Sequence, residues 1–215
     1  MCAHFESVKD VDRLKSRFGV KLPSKVNFDV WPTYPSTFIR LCQESTSLQT
    51  ENQPFQEAMA GSFGLIPHWS KDTKIARHTY NARVETVADK PAFKDAWRLK
   101  RLCIIPAEAI YEPDWRSGKA VSTKIHRIYL EPMGIAGIWT GWKAPNGKIE
   151  RSFSMLTINA DNHSLMQNFH KPEEEKRMVV ILDESNYSHW LNAKGEECLK
   201  YLTPYPASNL MAVVE

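Results

Sequence analysis

Residues 101–112 read "RLCIIPAEAIYE". This short run is apolar along most of its length and polar at its ends, which reads as a strand. Three more such runs follow at close intervals: "STKIHRIYLEP" (122–132), "GIAGIWTGW" (134–142) and "RSFSMLTIN" (151–159). Gly, Pro and Asn turns such as "APNGK" (144–148) separate them. Working outward, "RMVVIL" (177–182) reads as a buried strand. Upstream, "FQEAMAGSFGLIPHWS" (55–70) reads as a strand entering a loop rich in Pro, His and Trp. "VNFDVWPTYPSTFIRLCQE" (26–44) places a Pro-punctuated loop before another strand, and the polar "STSLQTENQP" (45–54) reads as a hairpin connection. Helices are expected around this β-rich centre. "SVKDVDRLKSRFGV" (7–20) has apolar residues at Val8, Val11, Leu14 and Phe18, with Gly19 as a stop signal. "PAFKDAWRL" (91–99) opens with Pro91 at a first-turn position. "ADNHSLMQNFH" (160–170) reads as an amphipathic helix capped by Asp161 or Asn162, with Leu165, Met166 and Phe169 inward. "DESNYSHWLNA" (183–193) and "GEECLKYL" (195–202) read as closing helices. The fold class is therefore α+β: one domain with a largely antiparallel, curled or barrel-like β core and peripheral helices.

The 215 residues are 42% hydrophobic and 25% charged, enough for a real core. A net charge of +3 permits a phosphate-bearing partner without requiring one. Cys2, Cys42, Cys103 and Cys198 form no C-x-x-C pair, which argues against a structural zinc site and a secreted disulfide framework. Cys42 and Cys103 lie in apolar, strand-like stretches and read as buried, inert thiols. The opening "MCAHFESVKDVDRLK" is too charged for a signal peptide, and no apolar run approaches the roughly 20 residues of a membrane span. A cytoplasmic protein, away from any membrane and without metal or cofactor, is the expectation.

In that compartment Cys2 stays a thiol. Methionine aminopeptidases remove Met1 when the next residue is small, and cysteine qualifies. The product carries an α-amine and a thiol on adjacent carbons. An α-amine titrates near about 7.7–8.0 and a lysine near about 10.4, so at neutral pH the terminal amine is far more often the neutral nucleophile. The thiol, near about 8.5, is itself a strong nucleophile. The pair suits an aldehyde: the amine forms an imine and the sulfur adds to it, closing a five-membered thiazolidine.

In chain order, "MCAHF" (1–5), "FGLIPHW" (63–69), "YNARVET" (80–86), "IIPAEAIYE" (104–112) and "NFHKPEEEKRMVVIL" (168–182) resemble the SRAP (SOS-response-associated peptidase) family. That family includes proteins that crosslink to abasic sites in single-stranded DNA. The likeness extends from Cys2 to about Leu182, and it implies a single SRAP-like domain over 1–215. It also implies that Cys2, once Met1 is lost, attacks the ring-opened aldehyde of an abasic deoxyribose. Asn81 would hold the terminus or the sugar by amide hydrogen bonds. Glu112 would assist proton transfer at the amine and imine, and His170 would act as general acid for ring opening and for reversal. For DNA, the resemblance implies Arg83 as a phosphate contact and Trp69 as an aromatic against the bases beside the lesion, with His4 and Arg177 as further contacts. Lys171 and Arg177 flank the acidic "EEE" run. No cofactor or metal is implied, and the partner is abasic single-stranded DNA bound by a monomer.

Four departures from the family pattern stand out. Ala3 and His4 replace the usual Gly and Arg, and a histidine makes a weaker, pH-sensitive phosphate clamp. Pro113 follows the glutamate where a tryptophan is usual. "FDVWPTYPS" (28–36) matches the Asn-Val-Ala-Pro segment only loosely. The five residues between Lys171 and Arg177 and the missing terminal proline blur the alignment of Arg177. Two other readings stay open: a cysteine peptidase with a Cys2–His170–Asn81 set that processes its own terminus, and a non-covalent binder of single-stranded nucleic acid.

Overall fold

A computed structural model describes residues 2–42 and 56–214. The turn-like stretch 45–54 and Met1 lie outside the described residues. Among the described residues twelve strands join one sheet, in which β3 (Pro35–Leu41), β4 (Gln56–Phe63), β9 (Ile149–Asn159), β8 (Met133–Lys143) and β6 (Leu102–Asp114) close into a ring. Each neighbour pairs antiparallel except β4 with β9, which run parallel from Ser62↔Ser152 to Phe63↔Phe153. The expected α+β class with a barrel-like, largely antiparallel core is what the chain adopts. Phe38, Phe63 and Phe153 fill the ring interior, with Phe153 5.6 Å from each of the other two. Gly137 is required at the β8–β9 contact, because a Cβ there would meet Ile105 Cδ1 at 2.4 Å and the Ser154 carbonyl at 2.6 Å.

β6 is the strand that connects core to site. Its first half, Leu102–Ala107, pairs with β8 inside the ring. Its second half leaves β8 and is flanked instead by β1 (His4–Ser7) and β7 (Val121–Arg127). The changeover lies at Pro106. Its carbonyl accepts from Val8 N and Ser7 Oγ, and β1 shifts register between Glu6 and Ser7. A proline in a central strand is tolerated where the ladder is already interrupted.

The helices are short and peripheral. α1 (Val11–Phe18) is capped by Asp10, whose carboxylate accepts from the N–H groups of Asp12 and Arg13, and it ends at Gly19 with φ 66°. Leu14 and Phe18 face inward as expected, but Val11 is exposed and Val8 is buried ahead of the helix. α2 (Lys94–Arg98) and α3 (Tyr187–Asn192) are a turn or two long, and 195–201 is a 3₁₀ segment.

Two local expectations are corrected, and one strand is added. The stretch 160–170 is not a helix but a series of turns with a short 3₁₀ piece at Met166–Asn168. Asn159 Oδ1 accepts from Asp161 N, and His163 Nδ1 accepts from the N–H groups of Leu165 and Met166. Those side chains satisfy amides that a helix would have turned inward on itself. "RMVVIL" divides into β10 (Arg177–Val179) on β9 and β11 (Ile181–Leu182) on β8. The final stretch forms a strand, β12 (Leu210–Val214), along β7. Among the described residues no helix is long and apolar enough to cross a membrane.

Candidate functional site

Four segments far apart in sequence meet where β6 leaves the ring. Cys2 lies two residues before the start of β1 and is only 1% exposed. Asn81 opens β5 (Asn81–Arg83), a three-residue strand lying parallel to β9 with Asn81 opposite Met155. Its side-chain Nδ2 donates to the Cys2 carbonyl at 2.7 Å, in a buried setting. The Cys2 thiol donates to the His4 carbonyl at 3.3 Å. Glu112, near the outer end of β6, is 2% exposed. The strand would normally release a carboxylate to solvent there, but His170 stands against it.

His170 is 5% exposed, and two backbone carbonyls hold it. Its N–H donates to the Pro113 carbonyl at 3.0 Å, next to a bridge between Asp114 and Phe169. Its Nε2 donates to the Arg177 carbonyl at 3.2 Å, which fixes the tautomer and leaves Nδ1 as the acceptor. Nδ1 stands 3.5 Å from Glu112 Oε2. The residue has φ 65°, a left-handed conformation in which histidine is tolerated more readily than most side chains. His170 therefore does not end a helix, and no helix dipole acts on it. Pro113, a departure from the family pattern, contributes the carbonyl that seats His170.

Burial sets the electrostatics. It raises the Glu112 carboxyl from 4.5 to about 7 and lowers the His170 imidazole from 6.5 to about 4. The Cys2 thiol is pushed far above its ordinary value, first by burial and then by the charge of Glu112. At neutral pH the pair is thus a glutamic acid near its titration midpoint beside a neutral imidazole. The Tyr80 hydroxyl is raised by burial and then by the charges of Cys2 and Glu112, so it belongs to the same electrostatic neighbourhood. Sequence reading missed Tyr80, although it stands one place before Asn81 in the quoted "YNARVET".

The residues assigned to DNA separate into different roles. Trp69 is 49% exposed in the loop after β4, which Trp142 Nε1 steadies by donating to the Ser70 carbonyl at 2.7 Å. Gly64, at φ 119°, starts that loop, where any Cβ would lie 2.1 Å from the Ala76 carbonyl oxygen. Arg83 ends β5 half-exposed, with Nη1 2.8 Å from Glu175 Oε2. Arg177 is buried instead: its guanidinium spans Glu85 at 2.9 Å through both nitrogens and also meets Glu175 and the Thr157 carbonyl. So placed, Arg177 braces the loop that carries Glu175 and offers its carbonyl to His170, with its charge spent on carboxylates. His4 lies two residues from Cys2, its ring stacked between Trp31 and Tyr111. Among the described residues no cluster of His, Cys, Asp and Glu could hold a metal ion.

The family model for "SOS response associated peptidase (SRAP)" matches residues 1–214. The abasic site processing protein YoqW of Bacillus subtilis is 35% identical over 156 residues, covering 70% of this chain and 65% of that relative. The mouse abasic site processing protein HMCES is 27% identical over 177 residues, covering 66% of this chain and 48% of its own length. The chain thus spans about two thirds or less of these relatives. A solved protein from Bordetella bronchiseptica is 39% identical, with a TM-score of 0.88 over 100% of this chain and 99% of that one. One from Bacteroides thetaiotaomicron, 22% identical, shares the fold with a TM-score of 0.79 over 99% and 91% of the two chains. With one family model matching nearly end to end and a close structural likeness beside it, the chain belongs to the SOS response associated peptidase family.

Proposed function

We propose that this protein captures abasic sites in single-stranded DNA as a covalent thiazolidine at Cys2. The observation that carries the reading is the Asn81 amide clamped on the Cys2 carbonyl in the same buried neighbourhood as the Glu112–His170 pair. Asn81 fixes the residue whose nitrogen becomes the chain terminus when Met1 is removed. That amine adds to C1′ of the ring-opened sugar, forming a carbinolamine. Glu112, protonated part of the time at neutral pH, donates to the departing hydroxyl, and water leaves as the imine forms. The imine so formed is protonated, its nitrogen having kept its own hydrogen. The resulting carboxylate takes the thiol proton as sulfur bonds to the imine carbon, the C=N electron pair returns to nitrogen, and Glu112 is again protonated. Aldehyde and cysteine have become a thiazolidine and one water, with no change of oxidation state.

A base is needed for the second step, because the buried thiol is not ionised in advance. His170 carries little positive charge near neutrality, which argues against imidazolium as the acid. In this reading it is a positioning residue: its fixed tautomer presents an acceptor toward Glu112 and keeps that proton available. Trp69 and Arg83 would meet the DNA, and Arg177 would support the loop behind them. The peptidase alternative is less well supported. Asn81 holds Cys2, whereas a Cys–His–Asn relay would have it hold His170.

The test is a denaturing gel after incubation with single-stranded DNA bearing one abasic residue. A band that survives boiling in wild type and disappears in Cys2→Ser and Cys2→Ala supports the reading. An undiminished band in Cys2→Ala refutes it, and Cys2-dependent hydrolysis of peptides without DNA would favour the peptidase.

A further inference from the structure

The residues flanking the candidate site build a three-ring stack. Trp31 lies on His4 with ring centroids 4.1 Å apart and 13° between planes, and His4 lies on Tyr111 at 4.1 Å and 14°. Tyr111 is buried, and its hydroxyl donates to Glu6 at 2.5 Å. The inner ring is therefore fixed. Trp31 is the outer ring, 45% exposed although one face rests on His4. The middle ring belongs to a residue that touches the site: the His4 carbonyl accepts from the Cys2 thiol.

The backbone that presents Trp31 is strained. Tyr34 N donates to the Trp31 carbonyl across Pro32 and Thr33, and Thr33 has φ 80°. That is the pattern of a type II turn, where glycine is the usual third residue and a β-branched one is an outlier. Two bonds hold Thr33 there, from its N–H to the Phe63 carbonyl and from Ser62 Oγ to its own carbonyl. Strain kept in place by surrounding structure is found where a side chain must be presented in one orientation.

Charge around the stack decides what it can receive. His4 Nε2 is engaged by Asp29 Oδ1 at 2.5 Å, and that carboxylate is largely exposed. A phosphate approaching Trp31 meets a carboxylate, whereas an uncharged aromatic face meets another. We propose that Trp31, backed by His4 and Tyr111, is a stacking platform for the nucleobase beside the abasic residue. Two departures from the family pattern, His4 and the Trp31 segment, are thus one device: an aromatic hold in place of a cationic one. This inference rests on the DNA-capture reading.

The experiment measures non-covalent affinity by anisotropy, using labelled single-stranded DNA with a central tetrahydrofuran spacer, which has no aldehyde to react. Trp31→Ala is expected to weaken binding about 5- to 150-fold, the range for loss of one base–aromatic stack. Trp31→Phe should recover most of it. Replacing the flanking bases one at a time by further spacers should reveal one position at which the Trp31→Ala penalty vanishes, because ring and base then act as a coupled pair. Unchanged affinity in Trp31→Ala, or a penalty that persists at every spacer position, overturns the platform. If wild type binds with this pattern but forms no crosslink on abasic DNA, the capture chemistry fails and the platform stands. If wild type crosslinks and Trp31→Ala binds equally well, the platform alone fails.

Discussion

The two halves of β6 are a study in contrast. From Leu102 to Ala107 the strand runs between β8 and β3, and its side chains bury apolar surface in the ring. From Ala109 to Asp114 it runs between β1 and β7 and buries Glu112 as completely as its neighbours. One half follows the ordinary rule that burial stabilises. The other buries an ionisable group whose charged form burial disfavours, which is stabilising for nothing except proton chemistry. The same strand therefore supplies rigidity at one end and a poised carboxyl at the other.

The sharpest way to break this contrast is to substitute one residue from each environment. Glu112→Gln keeps the shape and removes the titrating proton. Crosslinking rate should fall by about 10²–10⁴ while the denaturant midpoint holds or rises. Phe153→Ala, in the ring interior, should do the reverse: a loss of about 3–5 kcal/mol in unfolding free energy, with normal rate per folded molecule. Equal destabilisation by both, or a fully active Glu112→Gln, would erase the distinction between the halves.

The pH dependence of stability sharpens it further. Glu112 has a folded value of about 7 against an ordinary 4.5, so its favourable contribution is complete below 4.5 and is lost as pH rises through 7. His170 has a folded value of about 4 against an ordinary 6.5, so its contribution is complete above 6.5 and is lost as pH falls through 4. Each amounts to something on the order of 3 kcal/mol, and across the shared window they oppose one another. Wild type should show a shallow profile between pH 4.5 and 6.5. Glu112→Gln should gain stability with rising pH there, and His170→Gln should lose it. Urea midpoints measured across the window check the signs, and parallel profiles in all three proteins would contradict the assignment.

A smaller effect is expected at Asn81. Removing its bond to the Cys2 carbonyl with Asn81→Ala should cost about 1 kcal/mol of stability. Crosslinking should slow by about tenfold as the terminus loses its clamp, read as initial rate on abasic DNA.

The barrel half was legible because its signal is local. "GIAGIWTGW" and "RSFSMLTIN" are apolar runs with turn residues between them, and β8 and β9 occupy them nearly residue for residue. The site half is legible only through the family motifs. Asn81 on local evidence is a turn residue, because its strand of three residues exists only by pairing parallel to β9. Glu112 looks like a carboxylate reaching the surface until the His170 loop is set against it. Residues 160–170 carry helical spacing at Leu165, Met166 and Phe169, but Asn159 and His163 divert their amides into turns. The Trp31–His4–Tyr111 stack joins three separate segments, and no one of them announces it.

Mass spectrometry of the protein–DNA adduct tests the central claim most directly. After nuclease and protease digestion, the account predicts a terminal peptide beginning at Cys2, lacking Met1, that carries the sugar remnant with the mass of one water missing. A peptide that retains Met1, or a remnant attached at any other residue, would contradict it.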